Sequence, residues 1–143
     1  MSDQASVLAE RCSAALHAHD YCAQAMGMSI VEVGPGHAVL RMCVRKDMLN
    51  GHATAHGGML FSLADTAFAH ACNSHNRRTM ASAASIEFVH PAVEGDVLLA
   101  TARCVQQGRR SGVYDISVCR DDGTTIALFR GRSLSTDQPV LEE

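Results

Sequence analysis

The chain has no run of about 20 apolar residues that would cross a bilayer. Its first residues, Met1 to Arg11, also lack the charged-then-apolar layout of a signal peptide. There is no large charge excess either, since 12 Lys and Arg against 15 Asp and Glu give a net charge of −3. A general attraction to nucleic acid or to an anionic membrane is therefore excluded. We expect a cytoplasmic protein with no nucleic-acid or membrane partner.

The six cysteines contain no Cys-x-x-Cys pair and are widely spaced. In a reducing compartment we expect them to behave as small buried hydrophobes, without disulfides. What is present is the composition of an ordinary globular protein: 143 residues, 47% hydrophobic and 19% charged. We expect one domain over residues 1–136 and a flexible tail over residues 137–143.

Hydrophobic spacing predicts an α+β fold. An N-terminal helix is expected over Ala5–His19, and a long apolar helix after Gly58 that ends near Asn73. Alternating patterns separated by turn residues predict about six strands. Short connections favour antiparallel pairing, so the long helix should pack on an antiparallel sheet. The predicted strands are Ser29–Val33, His37–Arg45, Ala81–His90, Val97–Gln107, Val113–Arg120 and Thr124–Arg132.

The long helix carries one unusual residue, Asp65. Between Gly57 and Asn76 it is the only side chain with a full charge at neutral pH. A helix this apolar is normally buried, and aspartate is rarely buried unless it is paired or used. A partly desolvated carboxylate is more basic, which suits a general base or a nucleophile. The alternative is a structural salt bridge or cap.

Gly57 and Gly58 open the same helix. They could simply supply a tight turn. The functional interpretation is that the first amides of a helix have no intrahelical acceptor and lie at the positive end of its dipole. A substrate oxygen can approach such amides closely when no Cβ is present, which makes an oxyanion hole.

Gly57 and Asp65 cannot act on one carbonyl within a single chain. Eight residues of helix separate them by about 12 Å, whereas a reacting carbon must lie within about 3.5 Å of the attacking atom. Two antiparallel copies of the helix across a twofold axis would bring Gly57 of one chain near Asp65 of the other. If both residues act together, the protein is a dimer with shared sites.

Other polar residues are less specific. His52 and His56 have a metal-ligand spacing, but the surrounding glycines argue against a helix there, so no metal is expected. His70 is expected to be a satisfied core or interface residue. The segment Gly108–Gly112 is either a solvated hairpin or an anion clamp built by Arg109, Arg110 and Ser111, with Arg130 and Arg132 adding charge from a neighbouring strand.

The order of these motifs resembles the hotdog-fold acyl-CoA thioesterases, and closely matches the phenylacetic acid degradation thioesterases (PaaI type). The resemblance extends over nearly the whole chain and is weakest in the N-terminal helix. Its most specific part is the loop and helix start. The matching segments are Leu49–His52, His56–Gly58, Leu63–Ala67, Ala71–Ser74, Gly95–Asp96, Gly112–Asp115 and Ala127–Gly131.

The resemblance implies a hotdog fold, in which a sheet wraps one long central helix, with an extra N-terminal helix here. It implies a homodimer, often paired into a tetramer, that hydrolyses acyl-CoA without a cofactor, coenzyme A being part of the substrate. Phenylacetyl-CoA and its ring-hydroxylated relatives are the implied substrates. Met59, Leu60, Phe61 and Phe68 are candidate walls of the acyl pocket.

By the same resemblance, the Gly57 amide polarises the thioester carbonyl, beside Gly58, and the partner's Asp65 attacks it or activates water. Asn50 and His56 orient water and the thioester. The nucleotide end of coenzyme A would meet Arg109, Arg110, Ser111 and Gly112. One residue departs from the pattern: related hydroxybenzoyl-CoA thioesterases, with glutamate at the Asp65 position, carry threonine one turn later, where this chain has Ala69.

Two alternatives compete with hydrolysis. A non-catalytic acyl-CoA-binding hotdog module is opposed by the retention of Gly57, Gly58 and Asp65. A hotdog hydratase or dehydratase is opposed because the chain lacks the Pro-Gly-led helix of those enzymes and has Gly57 and Gly58 in its place.

Overall fold

A computed structural model describes residues 3–142. Over these residues the chain forms helices and strands in an order close to the predicted one. Their bounds are α1 Asp3–His19, α2 Tyr21–Ala25, β1 Ser29–Gly34, β2 His37–Cys43, a 3-10 turn at Lys46–Met48, α3 Gly57–Cys72, β3 Thr79–Phe88, β4 Val97–Gln107, β5 Ser111–Arg120 and β6 Thr125–Ser135.

The strands form one antiparallel sheet in the order β1-β2-β4-β5-β6-β3. Strands β4, β5 and β6 follow one another through short turns, whereas β3 follows α3 and pairs beyond β6. Helix α3 crosses the inner face of the sheet and contacts β2, β4 and β5. The predicted α+β architecture, a long helix on a six-stranded antiparallel sheet with a helix before it, is confirmed.

The core lies between α3 and the sheet. The ring of Phe68 packs against Tyr114 at a centroid distance of 5.5 Å and against Phe129 at 6.0 Å. A Cβ at Gly131 would lie 2.6 Å from the Phe68 ring, so this contact requires glycine. The sequence of α3 also predicts an apolar stripe at three- and four-residue steps from Leu60. The stripe is buried, each member being at most 3% exposed: Leu60, Leu63, Ala64, Ala67, Phe68 and Ala71.

The end of α3 is tied to the start of β3 by Asn73. Its side-chain amide donates to the Thr79 carbonyl at 3.0 Å, and its Oδ1 accepts from the Thr79 amide at 2.9 Å. Because both groups of the buried side chain are satisfied, the amide fixes the direction in which β3 leaves the helix.

Strand β3 lies at the edge of the sheet. Among residues 3–142 it pairs with β6 alone, and most of its residues are exposed. Its inner-face residues, Ile86 and Phe88, lie opposite the buried Phe129 and Ala127. An unpaired edge of this kind is a ready template for another strand.

The N-terminal region departs from the prediction. The three- and four-residue spacing that predicts α1 consists of Val7, Leu8, Arg11, Cys12, Ala15 and Leu16. Of these Cys12 is buried, whereas Val7 and Arg11 are exposed. The other buried residues, Ala9 and Ser13, lie outside that spacing. The short helix α2 was also missed; the side chain of Asp20 caps it by accepting from the Ala23 amide at 3.0 Å.

The C-terminal segment has partners within the chain. The amides of Val140 and Leu141 donate to Asn76 Oδ1 at 3.1 and 2.9 Å, and Leu141 is buried. The segment thus contacts the residues that follow α3, and the flexibility expected of residues 137–143 stays a prediction; Glu143 lies outside the described residues.

All six cysteines are free thiols. Cys12 and Cys72 are buried, as expected. Cys22, Cys43 and Cys104 are exposed, so for these three the expectation of buried cysteines is wrong. Two of the three lie on strands, β2 and β4, where the outward-facing positions of the alternation are open to solvent.

No helix within residues 3–142 combines the length and the apolar character needed to cross a membrane.

Candidate active site

The loop before α3 is organised by Asn50. Its Oδ1 accepts hydrogen bonds from the His52 amide at 2.9 Å, the Thr54 amide at 3.2 Å and the Thr54 hydroxyl at 3.1 Å. The Asn50 amide in turn donates to the Thr54 carbonyl at 2.8 Å. Since the oxygen is fully used, the side-chain NH₂ group of Asn50 is left as a donor, and it has no acceptor among residues 3–142.

The first turn of α3 begins at its cap, His56. The Nδ1 of His56 accepts from the Gly58 amide at 3.2 Å, and its carbonyl accepts from the Met59 amide at 2.9 Å. The neutral ring then carries its proton on Nε2. Within the described residues the Gly57 amide alone of these first helical amides has no acceptor. It is therefore the amide that a substrate oxygen can use.

Phe88, at the end of β3, lies against Gly57. A Cβ at Gly57 would be 3.0 Å from the Phe88 Cζ atom. Glycine at this position therefore leaves room for the aromatic ring, which a side chain would displace.

Asp65 lies two turns further along α3 and is partly buried. It makes no hydrogen bond or ion pair within residues 3–142. Burial raises the pKa of its carboxyl, and the negative charge of Asp20 at the start of α2 raises it further. Because the charged form is disfavoured and unpaired, this carboxylate is a stronger base than an exposed one.

The structure keeps Gly57 and Asp65 on one unbroken helix. Their separation along its axis is about 12 Å by the rise of 1.5 Å per residue. One chain therefore does not bring the two groups to a single reacting carbon. The distance between them is the one that the sequence predicts.

Two residues that follow Asp65 on α3, Ala69 and His70, are also singled out by the sequence. Ala69, one turn later and half-buried, has no polar side-chain atom. His70 is buried, and its Nδ1 shares a hydrogen bond of 2.5 Å with the Ser13 hydroxyl on α1. Burial, together with a smaller effect of the nearby His17, lowers the pKa of His70 to about 4. The predicted satisfied core histidine is confirmed.

The basic segment is divided between the β4–β5 turn and the start of β5. The side chain of Arg110 lies 3.5 Å from the carboxylate of Asp137, and the Arg109 carbonyl accepts from Arg77 at 2.8 Å. The guanidinium of Arg109 has no acceptor within residues 3–142. Arg130, which the sequence suggested as added charge, is instead paired with Asp115 at 2.6 and 2.8 Å.

Ser111 and Gly112 belong to β5 and not to the turn, in contrast to the predicted loop. Gly112 is buried, and a Cβ there would collide with the side chain of Gln107. Gln107 Oε1 accepts from the Tyr114 hydroxyl at 2.8 Å. The structure thus gives Gly112 a packing role, and its contact with coenzyme A stays a prediction.

His52 and His56 are both exposed, and no three His, Cys, Asp or Glu side chains converge anywhere in residues 3–142.

An amide donor at a helix start and a carboxylate without a partner in residues 3–142 are groups of the kind that acyl transfer to water requires. Residues 52–127 match the sequence profile of the Thioesterase superfamily. The chain belongs to this family and is a thioester hydrolase.

Its relatives are more specific. The chain is 50% identical over 119 residues to the acyl-coenzyme A thioesterase PaaI of Escherichia coli, covering 83% of this chain and 85% of the relative. The structure of the Escherichia coli PaaI protein from the phenylacetic acid degradation operon superimposes with a TM-score of 0.92 at 46% identity, over 94% of this chain and 97% of that one. This likeness confirms the hotdog fold.

A Streptococcus mutans protein bound to acetyl-CoA is also similar, with a TM-score of 0.76 and 27% identity over 78% of this chain and 90% of that one.

Sequence reasoning missed three residues around the site: Asp20, Ser13 and Phe88. Ser13 lies on α1 and Asp20 caps α2, and both reach α3 through packing between distant segments. Phe88 comes 31 positions after Gly57 in the sequence. Local patterns carry no signal for such contacts, although an aromatic residue ending an exposed strand could have drawn attention to Phe88.

Proposed function

We propose that this enzyme hydrolyses aryl-acyl-CoA thioesters, of the phenylacetyl-CoA and hydroxyphenylacetyl-CoA kind, to the free acid and coenzyme A. The observation that carries the proposal is that one helix holds both a first-turn amide at Gly57 and a carboxylate at Asp65, neither of which has a hydrogen-bond partner within residues 3–142. The named relative, an acyl-coenzyme A thioesterase at 50% identity, supports the same reaction.

The thioester carbonyl binds at the start of α3. Its oxygen accepts from the Gly57 amide at the positive end of the helix dipole, where the charge that develops in the transition state is stabilised. The free NH₂ group of Asn50 is the second candidate donor, because its oxygen is fixed in the loop. His56 holds the first turn in place by capping it and presents an Nε2–H group to the same region.

The carboxylate comes from a second copy of the chain. Two α3 helices running antiparallel across a twofold axis place Gly57 of each near Asp65 of the other. The exposed edge of β3, next to the Gly57 end of the helix, supports a dimer formed on this side. A homodimer with two shared sites follows, and pairing of dimers into a homotetramer remains a prediction.

Asp65 has two candidate roles, nucleophile and general base, and both give the same overall hydrolysis reaction. As a nucleophile it attacks the carbonyl carbon, expels the thiolate and forms an anhydride that water then cleaves. As a general base it takes a proton from water, whose oxygen attacks instead. In both, the C–S bond breaks, a C–O bond forms and the sulfur leaves as the thiolate of coenzyme A. Ala69 has no hydroxyl that could position water one turn away.

The nucleotide end of coenzyme A is assigned to the basic segment. The guanidinium of Arg109 is unpaired among the described residues, and Arg110 faces a single exposed carboxylate, so both can turn to phosphates. Ser111 offers a hydroxyl beside them. No separate cofactor is required for this chemistry.

The competing function is an acyl-CoA-binding module that does not cleave its ligand. Binding alone has no use for an unpaired, partly buried carboxylate, whose desolvation costs stability. Asp65 therefore favours hydrolysis.

The test is thiol release from a panel of acyl-CoAs, including phenylacetyl-CoA and hydroxyphenylacetyl-CoA, with wild type and Asp65→Asn. We expect the wild type to cleave the aryl thioesters and the variant, still folded and assembled, to lose at least about a hundredfold in kcat. Equal turnover by both proteins would remove Asp65 from the mechanism. Tight acyl-CoA binding without any turnover would establish the binding module.

A further inference from the structure

Phe88 is the last residue of β3 and is 55% exposed. It lies opposite the buried Ala127 in the pairing of β3 with β6. Residues directly opposite in an antiparallel pair point to the same face, so Phe88 faces the inner side of the sheet, where α3 lies. Its ring is exposed because β3 is the edge strand.

The ring also covers one particular residue. A Cβ built on Gly57 would lie 3.0, 3.4 and 3.6 Å from three carbons of the Phe88 ring. The Gly57 nitrogen is about 2.5 Å from that Cβ position by standard bond lengths and angles. The free amide that polarises the thioester and the face of the Phe88 ring are therefore immediate neighbours.

This proximity limits where the acyl group can go. A carbonyl oxygen bound by the Gly57 amide lies about 2.9 Å from its nitrogen, so the acyl substituent on the same carbon begins within a few ångströms of the ring. A phenyl group reaches the centroid distances of about 4.5–7 Å at which aromatic rings pack favourably. An acetyl group offers only one methyl to the same surface.

We propose that Phe88 is a specificity-determining residue that forms one wall of the acyl pocket and favours aryl over small acyl groups. This inference rests on the proposed function and names the side chain that selects its substrate class. It also changes the predicted pocket: Leu60 and Phe68 are buried in the core of the chain, at 3% and 1% exposed, and are unavailable as walls.

The experiment compares kcat/KM for phenylacetyl-CoA and acetyl-CoA in wild type and Phe88→Ala. We expect the preference for the aryl substrate to fall at least about tenfold, mainly through phenylacetyl-CoA. The matched control is Leu128→Ala. Leu128 is 48% exposed on the neighbouring strand, alternates with the buried Ala127 and Phe129, and so faces outward. Its removal should leave the preference unchanged.

Light scattering shows whether each variant keeps the wild-type mass. If Phe88→Ala fails to fold or assemble, Phe88→Leu takes its place, and a smaller loss of preference in the same direction is expected. The proposal is overturned if the ratio of the two kcat/KM values stays within about twofold of wild type in the folded, assembled variant. A wild type that cleaves no thioester would instead defeat the proposed function itself.

Discussion

Asp65 and His70 lie on the same helix, five residues apart, and differ in how the fold treats them. Burial disfavours the charged form of both side chains. His70 is compensated by the short hydrogen bond to Ser13 on α1, whereas Asp65 has no partner within residues 3–142. A polar group that the chain leaves unsatisfied costs stability, so its presence points to a use outside the folding of the chain.

Because Asp65 and His70 differ in this way, substitutions on the two sides of α3 should have opposite effects. Changes on the side of Asp65 and Gly57 should reduce turnover and leave the fold intact or strengthen it. Changes on the side of Ser13 and His70 should weaken the fold and leave turnover of the folded enzyme intact.

The largest effect is expected for Asp65→Asn, with at least about a hundredfold loss of kcat. The same change should raise the midpoint of thermal unfolding at pH 7 by about 1–4 °C. The folded chain holds the Asp65 proton at pH values where the unfolded chain has released it, so stability falls as pH rises between the two pKa values. The gain from Asn should therefore disappear below about pH 3.9, the unfolded value.

Melting curves of both proteins across this pH range measure the effect. A variant that is less stable than wild type at pH 7 would show that Asp65 is a structural residue after all.

A second prediction compares the two glycines at the start of α3. Gly57→Ala places a methyl group against the Phe88 ring and beside the free amide, and should lower kcat by about tenfold or more. In Gly58→Ala the nearest atom to the new Cβ is His56 Nδ1 at an ordinary 3.5 Å, and the Gly58 amide already has an acceptor. Steady-state kinetics on one aryl thioester should show a clearly smaller effect; equal losses would remove the special role of the Gly57 amide.

On the side of α3 where His70 is hydrogen-bonded, Ser13→Ala should lower the free energy of unfolding by about 1–3 kcal/mol. The reason is that it leaves the buried His70 nitrogen without its partner. Chemical denaturation measures this loss. Ser6→Ala, half-buried on the same helix, is the control and should change little. The kcat of folded Ser13→Ala should match wild type; a large loss there would connect His70 to catalysis.

The smallest effect is expected for Asp20→Asn. Its negative charge contributes to the raised pKa of Asp65, after burial. Asparagine keeps the cap of α2 and removes that charge. Cys72, the other titratable group linked to Asp65, is neutral because burial raises its pKa to about 12. The acid limb of the pH–rate profile should move to lower pH, with the plateau within about twofold of wild type.

The exposed Asp121→Asn, in the β5–β6 turn, serves as the control for Asp20→Asn. A profile that moves equally in both variants would mean that Asp20 has no specific influence on Asp65.

What the sequence predicts well is local. The stripe of α3, its start at Gly57 and the isolation of Asp65 follow from spacings within one segment, and β4 begins and ends at the predicted residues. The buried face of α1 and the contact of Phe88 with Gly57 depend on which distant strands and helices meet. Strand order decides that β3 is an edge, and no periodicity encodes strand order. Gly112 and Arg130 show the same limit, because their cross-strand partners assign them to packing and to an ion pair.

Mixed dimers show whether Gly57 and Asp65 act together across two chains. Chains carrying Asp65→Asn and chains carrying Gly57→Ala are given different affinity tags, co-expressed and purified through both tags. A mixed dimer then holds one site with both residues intact and one with neither. The account predicts about half of the wild-type kcat per dimer, well above either parent variant. Activity no greater than the mean of the two parents would contradict a shared site.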